Sequence, residues 1–292
     1  MTIFDQPKID CHHHIFDPQR FPYVADSGYN PEGHELATLE HYRAVMQAYG
    51  IRHSLIVGPT SAYNTDNRCL LAALAAGKGR HKGIAVVPRE VDSQTLAGLQ
   101  AQGVVGIALN VAMLGVEPFL QLDRLMGQLA ELEMFAQIQV QDDQLPALMP
   151  LLARTRTRLL FDHSGRPDIS AGLQQPAFQA LLSLAQREHT YVKLSGLAKF
   201  SRRHYPFSDA QPYLLALLAA YGGEKCMWGS DWPFLRATER MDMGTLLMLA
   251  EQMFPDAQTR RQILWQTPQR LFGFSDDRSH DENHLRAQWP KP

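Results

Sequence analysis

Eight short apolar runs, each followed by a segment with helical spacing, recur along the 292-residue chain. The runs cover 8–11, 54–57, 83–87, 104–109, 135–140, 158–162, 191–194 and 225–228. They are near-continuous apolar stretches rather than strict alternations, the pattern of parallel strands covered on both faces. Between them, 38–49 sets Leu39, Tyr42, Val45 and Tyr49 at helical spacing, and 66–76 stops at Gly77, a natural C-cap. Asp92 is placed to cap a helix over 93–102. Further helices are expected over 118–132, 143–153, 176–187, 208–221, 241–253 and 256–272. Eight strand–helix units in roughly 250 residues predict an α/β chain folded as one (β/α)8 TIM barrel, here over 1–274, with a polar tail over 275–292. A doubly wound open sheet would want a glycine-rich phosphate loop after a strand; none follows any of the runs.

The bulk numbers exclude several classes. A formal charge of −2 gives no basic surface for nucleic acid. The longest apolar runs, such as 214–220, are too short to cross a bilayer, and the N-terminus has no signal-peptide pattern. A cytoplasmic protein with no nucleic-acid or membrane partner is the expectation. Cys11, Cys69 and Cys226 show no pairing pattern and read as reduced packing residues. Barrel helices look alike whether they face water or a second copy, so the pattern leaves self-association into a homo-oligomer open.

In a barrel of this kind the chemistry gathers at the C-terminal ends of the strands. The first run ends in His12, His13 and His14; alternation on a strand puts His12 and His14 on one face and His13, as a structural bystander, on the other. The second runs into Thr60, Ser61, Tyr63 and Asn64, the fourth ends at Asn110, and the fifth carries Gln139 and Gln141. The sixth ends in Asp162, His163 and Arg166, the seventh gives Lys193 and Ser195, and the eighth ends in Ser230 and Asp231. Imidazoles with one carboxylate are a hydrolytic kit. With a divalent metal they activate water or polarise a carbonyl. Without one, Asp231 takes the proton from water while a histidine polarises the carbonyl oxygen. Arg166, three residues past His163, can clamp a substrate carboxylate in bidentate fashion. Lys193, Asn110, Ser61, Tyr63 and Gln139 are the remaining substrate-binding candidates.

Four motifs in order carry a family resemblance: Ile9-Asp10-Cys11-His12-His13-His14, Phe161-Asp162-His163-Ser164-Gly165-Arg166-Pro167, Lys193-Leu194-Ser195-Gly196 and Trp228-Gly229-Ser230-Asp231-Trp232-Pro233. With Thr65-Asp66-Asn67 and Leu271-Phe272-Gly273, the chain resembles the amidohydrolase superfamily. Within it, the likeness is to the branch of 2-pyrone-4,6-dicarboxylate hydrolase-like proteins and sugar-acid lactonases. The resemblance covers 9–274. It implies that His12, His14 and His163 hold a metal or the substrate carbonyl, that Asp231 activates water, and that Arg166 contacts a substrate carboxylate. Where a metal is bound, the resemblance names His12, His14, His163 and Asp231 as its ligands and a single zinc as the ion; the pyrone dicarboxylate hydrolases work without one. The bridging lysine of two-metal relatives is absent, since the fifth run reads Ala136-Gln137-Ile138-Gln139-Val140.

Three departures from that branch bear on the substrate. Ala108 stands where the pyrone hydrolases carry an arginine, Phe234 where relatives often have histidine, and Gln139 where they place histidine or tyrosine. Loss of a buried bidentate arginine weakens carboxylate binding by about 2 kcal/mol or more. A less charged lactone, or one held by Arg166 and Lys193 alone, is therefore expected in place of a pyrone dicarboxylate. The expected activity is opening of an acidic or sugar-acid-like lactone by Asp-activated water. A decarboxylase or lactone isomerase on the same barrel is the first alternative. A non-catalytic sugar-acid binder is the second, and it has no need of a poised base.

Overall fold

The computed structural model describes residues 2–25 and 27–275. Eight strands form one all-parallel sheet in sequence order, β1 to β8: Lys8–His13, Ile51–Val57, His81–Ala85, Val104–Asn110, Phe135–Gln139, Arg158–Phe161, Thr190–Leu194 and Cys226–Trp228. The principal helices between them are α1 (Leu39–Tyr49), α2 (Arg68–Gly77), α3 (Ser93–Ala101), α4 (Val111–Leu114), α5 (Asp123–Glu131), α6 (Leu145–Arg154), α7 (Pro176–Ser183), α8 (Leu197–Phe200) and α9 (Gln211–Tyr221). After β8 come α10 (Met243–Met253), α11 (Ala257–Arg261) and α12 (Thr267–Phe272). The expected barrel is present. None of these helices is long and apolar enough to cross a membrane. The expected polar tail lies, from residue 276 on, outside the described residues.

Local chemistry sets the boundaries. Thr38, Asp92 and Asp256 accept backbone N–H bonds at the starts of α1, α3 and α11, satisfying donors the first turn leaves unpaired. Gly50 ends α1 in the left-handed conformation. Two expectations change at this level. The single helix expected over 256–272 is broken into α11, a π-helical stretch over Gln262–Gln266 and α12. The short helices α4 and α8, one turn each, fall in segments to which no element was assigned; four residues give too little periodicity to register in sequence.

Two apolar layers hold the barrel. The larger lies between strands and helices. The smaller fills the interior with Ile9, Cys11, Leu55, Ile84, Phe135, Leu160 and Met227, and extends to Trp265, Phe272 and Phe274. Phe272 packs edge-on against Phe135 at 5.3 Å, and Phe274 stacks on His53 at 4.8 Å. The C-terminal segment thus plugs the end of the barrel opposite the strand termini. All three cysteines are buried and free, as expected.

The seam between β1 and β8 positions the chemistry. The Asp231 N–H donates to the His12 carbonyl at 2.8 Å, and the His14 N–H donates to the Trp232 carbonyl at 2.9 Å. Buried Asp10 accepts from the Ser230 N–H at 2.8 Å, from the Ser230 hydroxyl at 2.5 Å and from the Tyr42 hydroxyl at 2.7 Å. The first strand and the residues after the last are therefore laced together.

Candidate active site

β1 enters the site through a break in its register. Asp10 pairs with Ser54 and His13 with Ile56, three residues against two, which is a bulge. Ile9 and Cys11 point into the barrel. Past the bulge the phase shifts, so His12 and His14 face inward and His13 outward. His13 stacks on Tyr42 at 3.6 Å and bonds Ser54 Oγ through Nε2 at 2.8 Å, the bystander role expected of it.

Each inward imidazole is held by its Nδ1. His12 Nδ1 lies 3.3 Å from Asp162 Oδ1, His14 Nδ1 donates to the Val57 carbonyl at 2.7 Å, and His163 Nδ1 bonds Ser195 Oγ at 3.1 Å. All three Nε2 atoms then face one oxygen: Asp231 Oδ1 is 3.8 Å from His12, 3.9 Å from His14 and 3.7 Å from His163. These separations are too long for hydrogen bonds and suit donors arranged around a common centre.

The backbone is contorted to make this arrangement. His163, Ser164, Arg166 and Asp231 all have positive φ, between 44° and 63°. A non-glycine residue in that region costs roughly 1–3 kcal/mol, and such residues cluster at functional sites. Two glycines make room for the rings. A Cβ on Gly196, itself at φ 69°, would lie 2.6 Å from His163 Nδ1, and one on Gly229 would lie 2.8 Å from His12 Cβ.

Burial and charge then set protonation. Burial pushes the His163 imidazole down to about 3 and His14 to about 4, and the neighbouring Asp231 carboxylate only partly opposes this. Burial pushes the Asp231 carboxyl up, but Lys199 and the three histidines outweigh it and hold the group well below the usual carboxylate range. Lys199 Nζ is 3.2 Å from Asp231 Oδ2. The site therefore sets the neutral imidazoles of His14 and His163 beside an ionised carboxylate.

The substrate-binding expectations fare unevenly. Arg166 is half-buried, and its Nε is buried with no hydrogen-bond partner among the described residues, a donor in want of an acceptor. Asn110 and Gln139 pair in register at the ends of β4 and β5, and Asn110 Nδ2 donates to Thr60 Oγ1 at 3.3 Å. Ser61 is half-buried on the loop after β2. Two expectations need correcting. Lys193 is fully buried and pairs with Asp162 at 2.9 Å and with Gln137 Oε1 at 2.6 Å; it neutralises Asp162 beneath the rings instead of reaching open space. Tyr63 is also buried, and its hydroxyl accepts the Asp17 N–H at 3.0 Å while the ring packs among Phe16 and Tyr23. It braces a loop and has no free edge for a substrate.

Three residues were not singled out in sequence. Lys199 sits on α8, three residues past Gly196, and its only signal was that spacing. Gln137 lies two residues before Gln139 on the inward face of β5, and alternation could have found it. Asp162, read only as a neighbour of His163, is the acceptor that orients His12.

A divalent ion fits the donor set. His12, His14 and Asp231 offer ligand atoms all within 4.8 Å of one another, as do His12, Asp162 and His163. The Nδ1–H of His14 is committed to a carbonyl, so its Nε2 carries a lone pair, the form a metal requires.

Comparison with known proteins gives a consistent picture. A family model described as amidohydrolase matches residues 9–274. The chain is 32% identical to a 4-sulfomuconolactone hydrolase of Rhizobium radiobacter, over 90% of this chain and 89% of that one. It is 26% identical to a D-galactarolactone isomerase of Agrobacterium fabrum, over 93% of each. A crystal structure from Pseudomonas putida, assigned provisionally as a 2-pyrone-4,6-dicarboxylic acid hydrolase, superposes with a TM-score of 0.83 at 32% identity, over 92% of this chain and 98% of that one.

Proposed function

The chain belongs to the amidohydrolase family, and from that premise we propose that it is a lactone hydrolase acting on an acidic or sugar-acid-like lactone. The observation that carries this reading is the convergence of three Nε2 atoms on Asp231 Oδ1 at 3.7–3.9 Å. The sulfomuconolactone hydrolase and galactarolactone isomerase relatives support a cyclic ester as the substrate.

Asp231 is the general base. It is ionised at neutral pH and takes a proton from water as the water oxygen bonds to the lactone carbonyl carbon. The ring C–O bond then breaks, the ring oxygen leaves as a hydroxyl after receiving that proton, and the product is a hydroxy acid. Arg166 offers its unpaired Nε to a substrate carboxylate and fixes which end of the ring faces Asp231. Lys199 holds Oδ2 so that Oδ1 faces the imidazoles.

We further propose that His12, His14, His163 and Asp231 hold one divalent ion, with zinc the best match for a nitrogen-rich set carrying one carboxylate. His14 supports this, because a neutral ring with Nδ1–H has no proton on Nε2 to donate to a carbonyl oxygen. When bound, the ion supplies Lewis-acid stabilisation of the developing oxyanion and a more acidic water.

The test is a panel of lactones, with metal analysis of the purified protein and assays with and without chelator. Asp231→Asn should lower kcat by about 10²–10⁴ with the fold intact by circular dichroism. Near-normal turnover in that variant would sink the assignment of the base. Product analysis separates ring opening from isomerisation, which leaves the ring closed, and from decarboxylation, which releases carbon dioxide.

A further inference from the structure

Behind Asp231, against the barrel wall, is a space that the hydrolytic step does not use. It lies between β7–β8 and α9–α10, and the empty space there comes to about 640 Å³ once its mouth, open to solvent, is counted. Leu194, Leu214, Trp228, Leu246, Leu249 and Met253 contribute to its apolar wall. Its polar end is made by Ser195, Lys199 and Asp231. Protein interiors normally close such apolar gaps, because a void forfeits packing.

The polar end joins this space to the chemistry. Asp231 turns Oδ1 to the imidazoles and Oδ2 to Lys199, and both Asp231 and Lys199 line the cavity, whereas the three histidines do not. Across the barrel, the positions of β4 that pair with Phe135, Gln137 and Gln139 are Gly106, Ala108 and Asn110, none of them charged. A molecule whose ester carbonyl lies at Asp231 thus meets Arg166 for one anionic group, an uncharged β4 wall, and an apolar chamber next to the reacting carbon.

We propose that this chamber is the specificity pocket for an apolar arm. The substrate is a lactone bearing an alkyl or aryl substituent close to its ester group, with the ring under the histidines and the arm passing Lys199 to lie against Trp228, Leu246 and Leu249. The proposal rests on the lactonase reading of the same site.

The purified protein is assayed with γ-butyrolactone, γ-octalactone and γ-decalactone. Each buried methylene strengthens binding roughly three- to fourfold, so kcat/KM should rise about a hundredfold or more from the first to the last. Ala250→Leu on α10 and Ala237→Phe on the preceding loop both narrow the chamber. Each should flatten that chain-length dependence, and the two lie on different elements, so misfolding of one leaves the other to report. A flat profile in an enzyme that does open γ-butyrolactone overturns the pocket and leaves the lactonase reading intact. If no lactone, acidic or neutral, is turned over, the lactonase reading fails; in that case, or where only acidic lactones react, calorimetry with alkyl-substituted γ-lactams decides the pocket separately. Affinity that rises with chain length and a negative ΔCp support it; no dependence on chain length overturns it.

Discussion

At the scale of single residues, the charge next to Asp231 is the control point. Lys199 is the largest of the influences that lower its carboxyl. Lys199→Met removes that influence, so the Asp231 pKa rises and the acidic limb of kcat/KM moves to higher pH. A profile unchanged from the wild type would show that Lys199 does not set the state of the base. Arg166 gives a different signature. Its Nε has no protein partner among the described residues, so Arg166→Met should leave the fold stable while raising KM for a carboxylate-bearing lactone by roughly tenfold or more. Neutral lactones should be little affected, and a matching loss on them would place Arg166 in a structural role.

At the scale of elements, the turn from β7 into α8 decides whether the site assembles. Gly196 adopts φ 69°, and the His163 ring occupies the space a Cβ there would need. Gly196→Ala adds a strained left-handed alanine and a methyl 2.6 Å from Nδ1, a contact that only displacement of the ring can relieve. The expected outcome is a large loss of activity, and of the proposed metal binding, with only a modest fall in Tm. Wild-type zinc content and turnover would refute the argument. The bulge in β1 acts similarly, since without its extra residue the inward phase of Ile9 and Cys11 would continue and put His12 on the wrong face.

For the whole molecule, buried neutral histidines set the acid limit. His81 bonds Ser54 Oγ at 2.8 Å through Nδ1, and Ser54 in turn meets His13, so one chain of polar contacts links β1, β2 and β3. Burial pushes His81 down to about 3 and His13 well below its ordinary value. The unfolded chain binds protons at these groups near pH 6.5 and the folded one does not. Their contribution is therefore neutral above pH 6.5 and turns against folding as pH falls below it, at about 1.4 kcal/mol per unit for each group. Tm should drop steeply between pH 6.5 and 4, and His81→Gln should make that slope shallower. An identical slope would remove His81 from the account. Ligand linkage gives a second whole-molecule test, this one of the proposed metal site: chelation should lower Tm as well as activity, and added zinc should restore both.

Much of this protein is legible in its sequence. Eight apolar runs with helices between them prescribe a parallel barrel, because strands buried on both faces must be apolar throughout and need helices to cover them. The barrel in turn prescribes that the polar residues ending those runs share one mouth, and so His12, His14, His163 and Asp231 could be named together although 219 positions separate the first from the last. Direction and partnership were decided only by tertiary structure. Lys193 reads as a mouth residue until Asp162 and Gln137 draw its ammonium beneath the rings. Tyr63 reads as a ligand contact until its hydroxyl is claimed by Asp17. Lys199 is invisible until one helical turn brings it to Asp231, and the chamber behind it belongs to no single segment. Periodicity is a property of the backbone and survives in one dimension. Which side chain neutralises which depends on distances of 3–4 Å between residues far apart in the chain, and those exist only once the barrel has closed at the seam between β1 and β8.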